Sequence, residues 1–251
     1  MAFDYVSTAN AQSASGLRMI VVGGVPSPWG EAAKGLFHVK GIDWQAVRLD
    51  QTDAVQMAWS GRASAPVVFW QDEAPIDQAI DIVQLAERIA PEPALLPADH
   101  GAEILRIVSD LAAPGGLGWQ RRLQQVHAGH SGGPGFHPKI AAYLGAKYGY
   151  DAASGAGAGA AVGKHLRTLA HKLAVNGGIY YVGDRLSAAD IYAAAFMALF
   201  DPLPQDQCAM HPATRVAFST LDDTTRAALD PSLIAHRDRI YADWLQLPLA
   251  L

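Results

Sequence analysis

The 251-residue chain has a single cysteine, Cys208. One thiol supports neither a disulfide framework nor a Cys-rich zinc site, which fits a reducing compartment, and a cytoplasmic location is expected. Clustered lysine and arginine are also missing. The net charge is −5 and the isoelectric point is near 5.9, which argues against a nucleic-acid partner, because phosphate binding relies on grouped cations. No long apolar run is present: the most apolar later stretch, Ile191 to Phe200, is far short of the ~20 residues that cross a bilayer, so no membrane partner is expected. Residues 1–16 lack both a basic start and an apolar core of signal-peptide length and are read as a flexible extension and not an export signal. Half of the composition is apolar, enough to bury a full core in one large or two modest domains.

The first part of the chain alternates strand and helix signals. Leu17 to Val22 is a compact apolar run closed by Gly23-Gly24, which reads as a buried strand. Ser27-Pro28 opens a helical pattern in which Ala32, Ala33, Leu36 and Phe37 recur on one face before Gly41 stops it. Trp44, Ala46, Val47 and Leu49 suggest a second strand, and strand–helix–strand at this length is a unit whose two strands run parallel. A short helix or loop at Asp53 to Trp59 leads to a third strand, Ala65 to Trp70, with Pro66 at its entrance where no ladder N–H is missed. Ile76, Ala79, Ile80, Val83 and Ala86 then share a helix face that ends near Ala90.

Pro91, Pro93 and Pro97 make residues 91–97 a stiff linker, since proline lacks an amide donor and biases its predecessor away from helix. The expected domains are therefore 17–90 and 98–251. Beyond the linker no strand pattern is convincing. Helices are expected over Glu103 to Val126 (broken at Pro114-Gly115-Gly116), Pro138 to Tyr148, Val162 to Val175, Ser187 to Phe200 and Pro231 to Trp244, with loops at Ala128 to Gly135 and Asp151 to Ala161. A run of helices after a mixed module implies two separately built layers.

Four features in this order resemble the glutathione transferase superfamily: Ser27-Pro28-Trp29 at the first strand-to-helix turn, Ala65-Pro66 before the third strand, the 91–97 linker, and the string Gly183-Asp184-Arg185-Leu186-Ser187-Ala188-Ala189-Asp190. The last also reads as a capping box joining Ser187 and Asp190. The resemblance spans roughly residues 17 to 247. It implies a thioredoxin-like α/β domain followed by an all-α domain, glutathione as co-substrate, a small and largely apolar electrophile as second substrate, and a homodimer. A non-catalytic binding or interaction protein that kept the architecture is the alternative, since fold does not fix function.

Glutathione is a weak nucleophile at neutral pH because an ordinary thiol has a pKa near ~8.5. A hydroxyl donating to the sulfur at a helix N-terminus favours the thiolate, and the resemblance gives Ser27 that catalytic role; the plain reading is that Ser27 caps the helix and Pro28 starts it. The resemblance makes Pro66 a cis-proline and lets the Ala65 backbone pair with the cysteinyl group of glutathione; otherwise the proline only begins a strand. Where relatives carry Glu-Ser for the γ-glutamyl end, this chain has Asp77-Gln78, a departure in which Asp77 attracts the ligand's amino group and Gln78 or nearby amides take its carboxylate. Asp77 is equally an ordinary first-turn residue. Trp29, Trp119, Phe136 and Tyr143 are candidates to line the substrate pocket.

Other signals lead nowhere. His127, His130 and His137 have no accompanying carboxylate or cysteine at close spacing, so no metal site is expected. Gly155 to Ala160 formally fits a dinucleotide-binding pattern but follows no strand. Cys208 is expected to be inert.

Overall fold

The computed structural model describes residues 4–133 and 135–250. Thr8–Ser13 forms helix α1, and Leu17–Val21 forms strand β1, buried along its whole length. Because a strand alternates its side chains, Leu17, Met19 and Val21 enter the main core, while Ile20 joins Ala11, Val47, Val67 and Phe69 behind the sheet. Helix α2 (Pro28–Val39) crosses over to strand β2 (Trp44–Arg48), which pairs parallel to β1 with Met19 opposite Ala46. Helix α3 (Ala54–Ser60) precedes strand β3 (Val67–Trp70), which lies antiparallel on the other side of β1 and gives the order β2-β1-β3. Helix α4 covers Ala79–Ile89.

Two expectations in this region are corrected. Part of the supposed flexible extension is folded against the back of the sheet. The Val6 amide donates to Ala46 O at 2.9 Å, Ala11 is fully buried, and the Thr8 hydroxyl donates to Asp53 at 2.8 Å. Buried Arg18 explains the anchoring: its Nε donates to Ala11 O at 3.2 Å, and its Nη1 donates to Gly16 O at 2.7 Å. A buried guanidinium with several N–H donors to satisfy must hold the segment that supplies the carbonyls. Residues 1–3 of that extension lie outside the described residues. Ile76, expected on the helix face, instead exchanges both backbone hydrogen bonds with Val68 as an isolated bridge, at 2.8 and 3.0 Å.

The remaining elements are helices: α5 (Gly101–Ala112), α6 (Leu117–His130), α7 (Pro138–Tyr148), α8 (Ala152–Val175), α9 (Ala188–Met197), α10 (Pro212–Ser219), α11 (Asp223–Ala228) and α12 (Pro231–Trp244). Helix α8 overturns the expected loop at Asp151 to Ala161. Asp151 caps it, accepting from the Ala153 and Ser154 amides at 2.8 Å. Gly155, Gly159 and Gly163 fall at helical spacing where neighbours press in: a Cβ at Gly155 would collide with Tyr150 and His127. Helix α6 likewise continues through the first residues of the expected loop at Ala128 to Gly135. Helices α10 and α11 had no clear sequence signature. Arg121 pins α10 by donating to Phe218 O at 3.0 Å and Thr220 O at 2.8 Å, and Gln124 Nε2 pins α11 by donating to Asp222 Oδ2 at 2.7 Å and Thr225 Oγ1 at 2.8 Å.

The proline-rich connection is tied to the first module by Lys40. Its Nζ donates to Ala90 O at 2.7 Å and Pro93 O at 2.9 Å and pairs with Glu87 at 2.7 Å. Helix α9, buried on every side, receives α2 on one face and α5 and α12 on others. The capping box at its start is present, and the Asp190 carboxylate serves more than the cap. It accepts from the Ser187 amide at 2.9 Å, the Ser187 hydroxyl at 2.7 Å, the Tyr181 amide at 2.8 Å and His236 Nε2 at 3.0 Å.

Replacing Asp190 with Ala strands these buried donors, and urea unfolding of Asp190→Ala should show a loss of about 3–5 kcal/mol. Gly118 sits where α6 passes Phe196 and Trp29 too closely for a Cβ. Gly118→Ala should cost about 1–3 kcal/mol in the same assay, and unchanged midpoints in either variant would contradict the packing described.

Candidate functional site

At the end of β1 the chain turns through Val22 to Pro26 and enters α2 at Ser27. Pro28 occupies the first helical position, where its missing N–H costs nothing. Ser27 has extended backbone angles, φ −69° and ψ 115°, and its hydroxyl makes no capping hydrogen bond. The plain capping reading of this serine therefore lacks its defining contact, and the hydroxyl stands half-buried beside the open first turn of the helix.

Ser27 lines a cleft of about 940 Å³ between the two kinds of structure. Trp29, Ala65, Pro66, Asp77, Gln78, Trp119 and Tyr143 line it too, so every site residue singled out in the sequence reaches one cavity. The Ala65–Pro66 bond is cis. Ala65 makes no backbone–backbone hydrogen bond among the described residues, leaving its polar groups available to an extended ligand.

Asp77 and Gln78 come from the approach to α4. Gln78 is the N-cap of that helix without a capping side-chain bond, so Asp77 precedes the helix and is not the first-turn residue considered above. Its carboxylate accepts from Arg62 Nε at 2.7 Å and from Gln78 Nε2 at 2.9 Å. Ala79 and Ile80, whose amides open α4, also line the cleft.

The candidate pocket aromatics differ in their duties. Trp29 donates from Nε1 to Ala112 O at 2.8 Å and meets Phe196 edge-on at 5.1 Å, so it fastens the start of α2 to the helical part while bordering the cleft. Trp119 donates to Tyr148 O at 3.2 Å and packs T-shaped on that ring at 4.7 Å. Tyr143 is half exposed, and its hydroxyl accepts from Gln51 Nε2 at 2.7 Å, a bond that spans the cleft from the β2–α3 connection to α7. Phe136 is buried against Phe218.

Sequence reasoning passed over Arg122, Lys147, Tyr148 and His211, which also line the cleft. Burial lowers the pKa of the Arg122 guanidinium and raises that of the Tyr148 hydroxyl, and the two groups lie beside each other. The one legible hint was the repeated His-Pro at helix starts: His137 and His211 cap α7 and α10 through Nδ1. The other loop histidines do not gather with them. His127 bonds the Tyr150 hydroxyl at 3.0 Å, His130 stacks on the Tyr150 ring, and no metal-holding cluster occurs among the described residues. Cys208 is buried, and burial pushes its thiol pKa up.

No protein-family model matches the chain, and no curated protein matches it in sequence. Solved structures do match. A glutathione S-transferase from Methylobacterium radiotolerans in complex with glutathione sulfonate aligns over 91% of this chain and 92% of its own, with TM-score 0.62 and 19% identity. A glutathione transferase family member from Pseudomonas fluorescens with two glutathione bound aligns over 95% and 96%, with TM-score 0.64 and 14% identity. Glutathione transferase Omega 3C from Trametes versicolor aligns over 94% and 89%, with TM-score 0.58 and 15% identity. This chain has the glutathione transferase fold: a thioredoxin-like module followed by an all-helical one.

Proposed function

We propose that the protein is a glutathione transferase in which Ser27 holds the glutathione sulfur as thiolate for attack on an electrophile in the same cleft. The observation that carries this reading is the Ser27 hydroxyl, free of any capping bond, in a cleft shared with the cis Ala65–Pro66 bond and with Asp77 and Gln78. Solved relatives of the fold carry glutathione or its sulfonate, which supports the choice of co-substrate.

In this reading the Ala65 backbone pairs with the cysteinyl unit, and Asp77 and Gln78 take the γ-glutamyl end. The thiol proton passes to solvent, and the Ser27 hydroxyl donates to the resulting anion. The N-terminus of α2, with the Trp29 and Gly30 amides following a proline, adds a positive pole. A hydrogen bond to a charged acceptor is worth about 1.5–3 kcal/mol, which lowers the thiol pKa by about one to two units. Addition, displacement and glutathione-dependent isomerisation all begin from that thiolate. The reading includes a homodimer in a reducing cytoplasm, with the division between modules at 91–97.

A non-catalytic binding protein of the same fold is the second reading. It is favoured by Asp77, whose carboxylate is already engaged by Arg62 and Gln78. Titration calorimetry separates the two. Glutathione binding in the micromolar to low-millimolar range supports the transferase, and no heat at ~10 mM supports the other reading.

For Ser27→Ala, conjugation of glutathione to chlorodinitrobenzene should slow by about ten- to a hundredfold. The midpoint of its pH–rate profile should move up by about one to two units. Full activity with an unmoved midpoint would overturn the role of Ser27. Sedimentation equilibrium should give twice the chain mass, and a monomer at every concentration would remove the homodimer.

A further inference from the structure

Arg121 and Arg122 are neighbours on α6, and both are buried, at 2% and 6% exposure. Their surroundings differ. Arg121 spends its donors on the protein: Leu199 O at 3.1 Å, Phe218 O at 3.0 Å, Thr220 O at 2.8 Å and Gln124 Oε1 at 2.7 Å. Among the described residues Arg122 donates from Nη1 to Gln125 Oε1 at 3.0 Å, and the Tyr148 hydroxyl lies within its hydrogen-bonding reach. Its guanidinium lies 4.6 Å from the Phe218 ring centre and 5.5 Å from that of Phe136. Among the described residues it has no carboxylate partner, and it lines the cleft.

The cleft is segregated by charge. Its carboxylates, Asp50 and Asp77, belong to the thioredoxin-like module. The helical side contributes Arg122, Lys147, His137 and His211 and no carboxylate. Lys147 is exposed and lines the cleft, with Nζ 5.7 Å from the Tyr148 ring centre and no ion pair among the described residues. His137 and His211 each accept a backbone amide at Nδ1, at 3.3 and 3.2 Å, so the neutral ring carries its proton on Nε2 as a donor.

We propose that the second substrate is an electrophile bearing a carboxylate on an aromatic or otherwise unsaturated body, with the carboxylate received by Arg122 and steered by Lys147. A buried guanidinium without a counter-ion is an unfavourable arrangement that a ligand anion relieves, and the planar fork of arginine matches a carboxylate. The rings of Phe136 and Phe218 hold that fork in place, while Trp119 and Tyr148 border space for a flat apolar body. This narrows the largely apolar electrophile implied by the family resemblance. It rests on the transferase reading above for the reaction, but the anion site has its own readout.

The test compares para-chloro-meta-nitrobenzoate with the corresponding benzamide. In both, the glutathione thiolate forms a C–S bond at the ring carbon bearing chlorine, the C–Cl bond breaks, chloride leaves with the electron pair, and the thiol proton goes to solvent. With kcat/KM normalised to each compound's uncatalysed rate, the native protein should prefer the acid by at least about tenfold. In Arg122→Met that ratio should fall to about one, through KM for the acid, and Lys147→Ala should fall between. A native ratio near one overturns the proposal. So does a loss of glutathione affinity in Arg122→Met that parallels the loss of preference, because it would assign the arginine to glutathione.

Binding without turnover separates this inference from the function on which it rests. Quenching of Trp29 and Trp119 fluorescence by nitrobenzoate and by nitrobenzamide is read in the absence of glutathione. At least about tenfold tighter binding of the acid supports the anion site even if neither chloro compound reacts. Equal affinities reject it even if glutathione binds and the amide turns over. Should Arg122→Met lose its near-ultraviolet circular dichroism, the native acid-to-amide ratio decides, and Arg122→Lys should retain part of it.

Discussion

The rest of the structure depends on one buried carboxylate. Asp190 is fully enclosed and accepts from the Tyr181 amide, the Ser187 amide and hydroxyl, and His236. A charge removed from water persists only where donors surround it. The donors come from the segment before α9, from its cap and from α12, so satisfying the charge fixes α9 among them. Helix α2 rests on α9, with Gly35 allowing close approach to Ile191, and the N-terminus of α2 presents Ser27. The position of Ser27 thus traces back to a hydrogen-bonded acid that does not line the cleft itself.

The cleft is assembled from both modules. Trp29 reaches from α2 to the last carbonyl of α5, and Gln51 reaches to Tyr143 on α7. These bonds set its two sides in register without closing it. The chemistry on each side differs accordingly. The thioredoxin-like side offers a serine hydroxyl without a capping bond, a cis-proline turn and two carboxylates, whereas the helical side offers cations and aromatic faces.

Much of this order was legible beforehand because short-range physics controls it. The strand at Leu17 is a dense apolar run that can lie only inside a sheet, and Pro138–Tyr148 and Pro231–Trp244 carry proline where a helix needs no donor. Where reading failed, a distant partner had decided the outcome. Residues 8–13 look uncommitted until Arg18 takes the Ala11 carbonyl and Thr8 finds Asp53. Gly155, Gly159 and Gly163 look like part of a loop until α6 and α11 are seen to need the room they leave in α8. Ile76 keeps a helical period with Ala79 and Ile80, yet its backbone completes a bridge to Val68.

The candidate site divides along the same line. Ser27-Pro28 was recognisable as a helix start because that depends on adjacent residues, whereas Ala65-Pro66 and Asp77-Gln78 were singled out through the family resemblance. The sequence alone therefore determined the module order, the main helix starts and the helix-opening turn that brings Ser27 to the cleft. Tertiary structure alone decided which of two adjacent arginines is spent on carbonyls and which is left facing a cavity. Arg121 and Arg122 are chemically identical in the chain. The packing of α10 against α6, nearly a hundred residues later in sequence, supplies the Phe218 and Thr220 carbonyls to Arg121 and the Phe218 ring to Arg122.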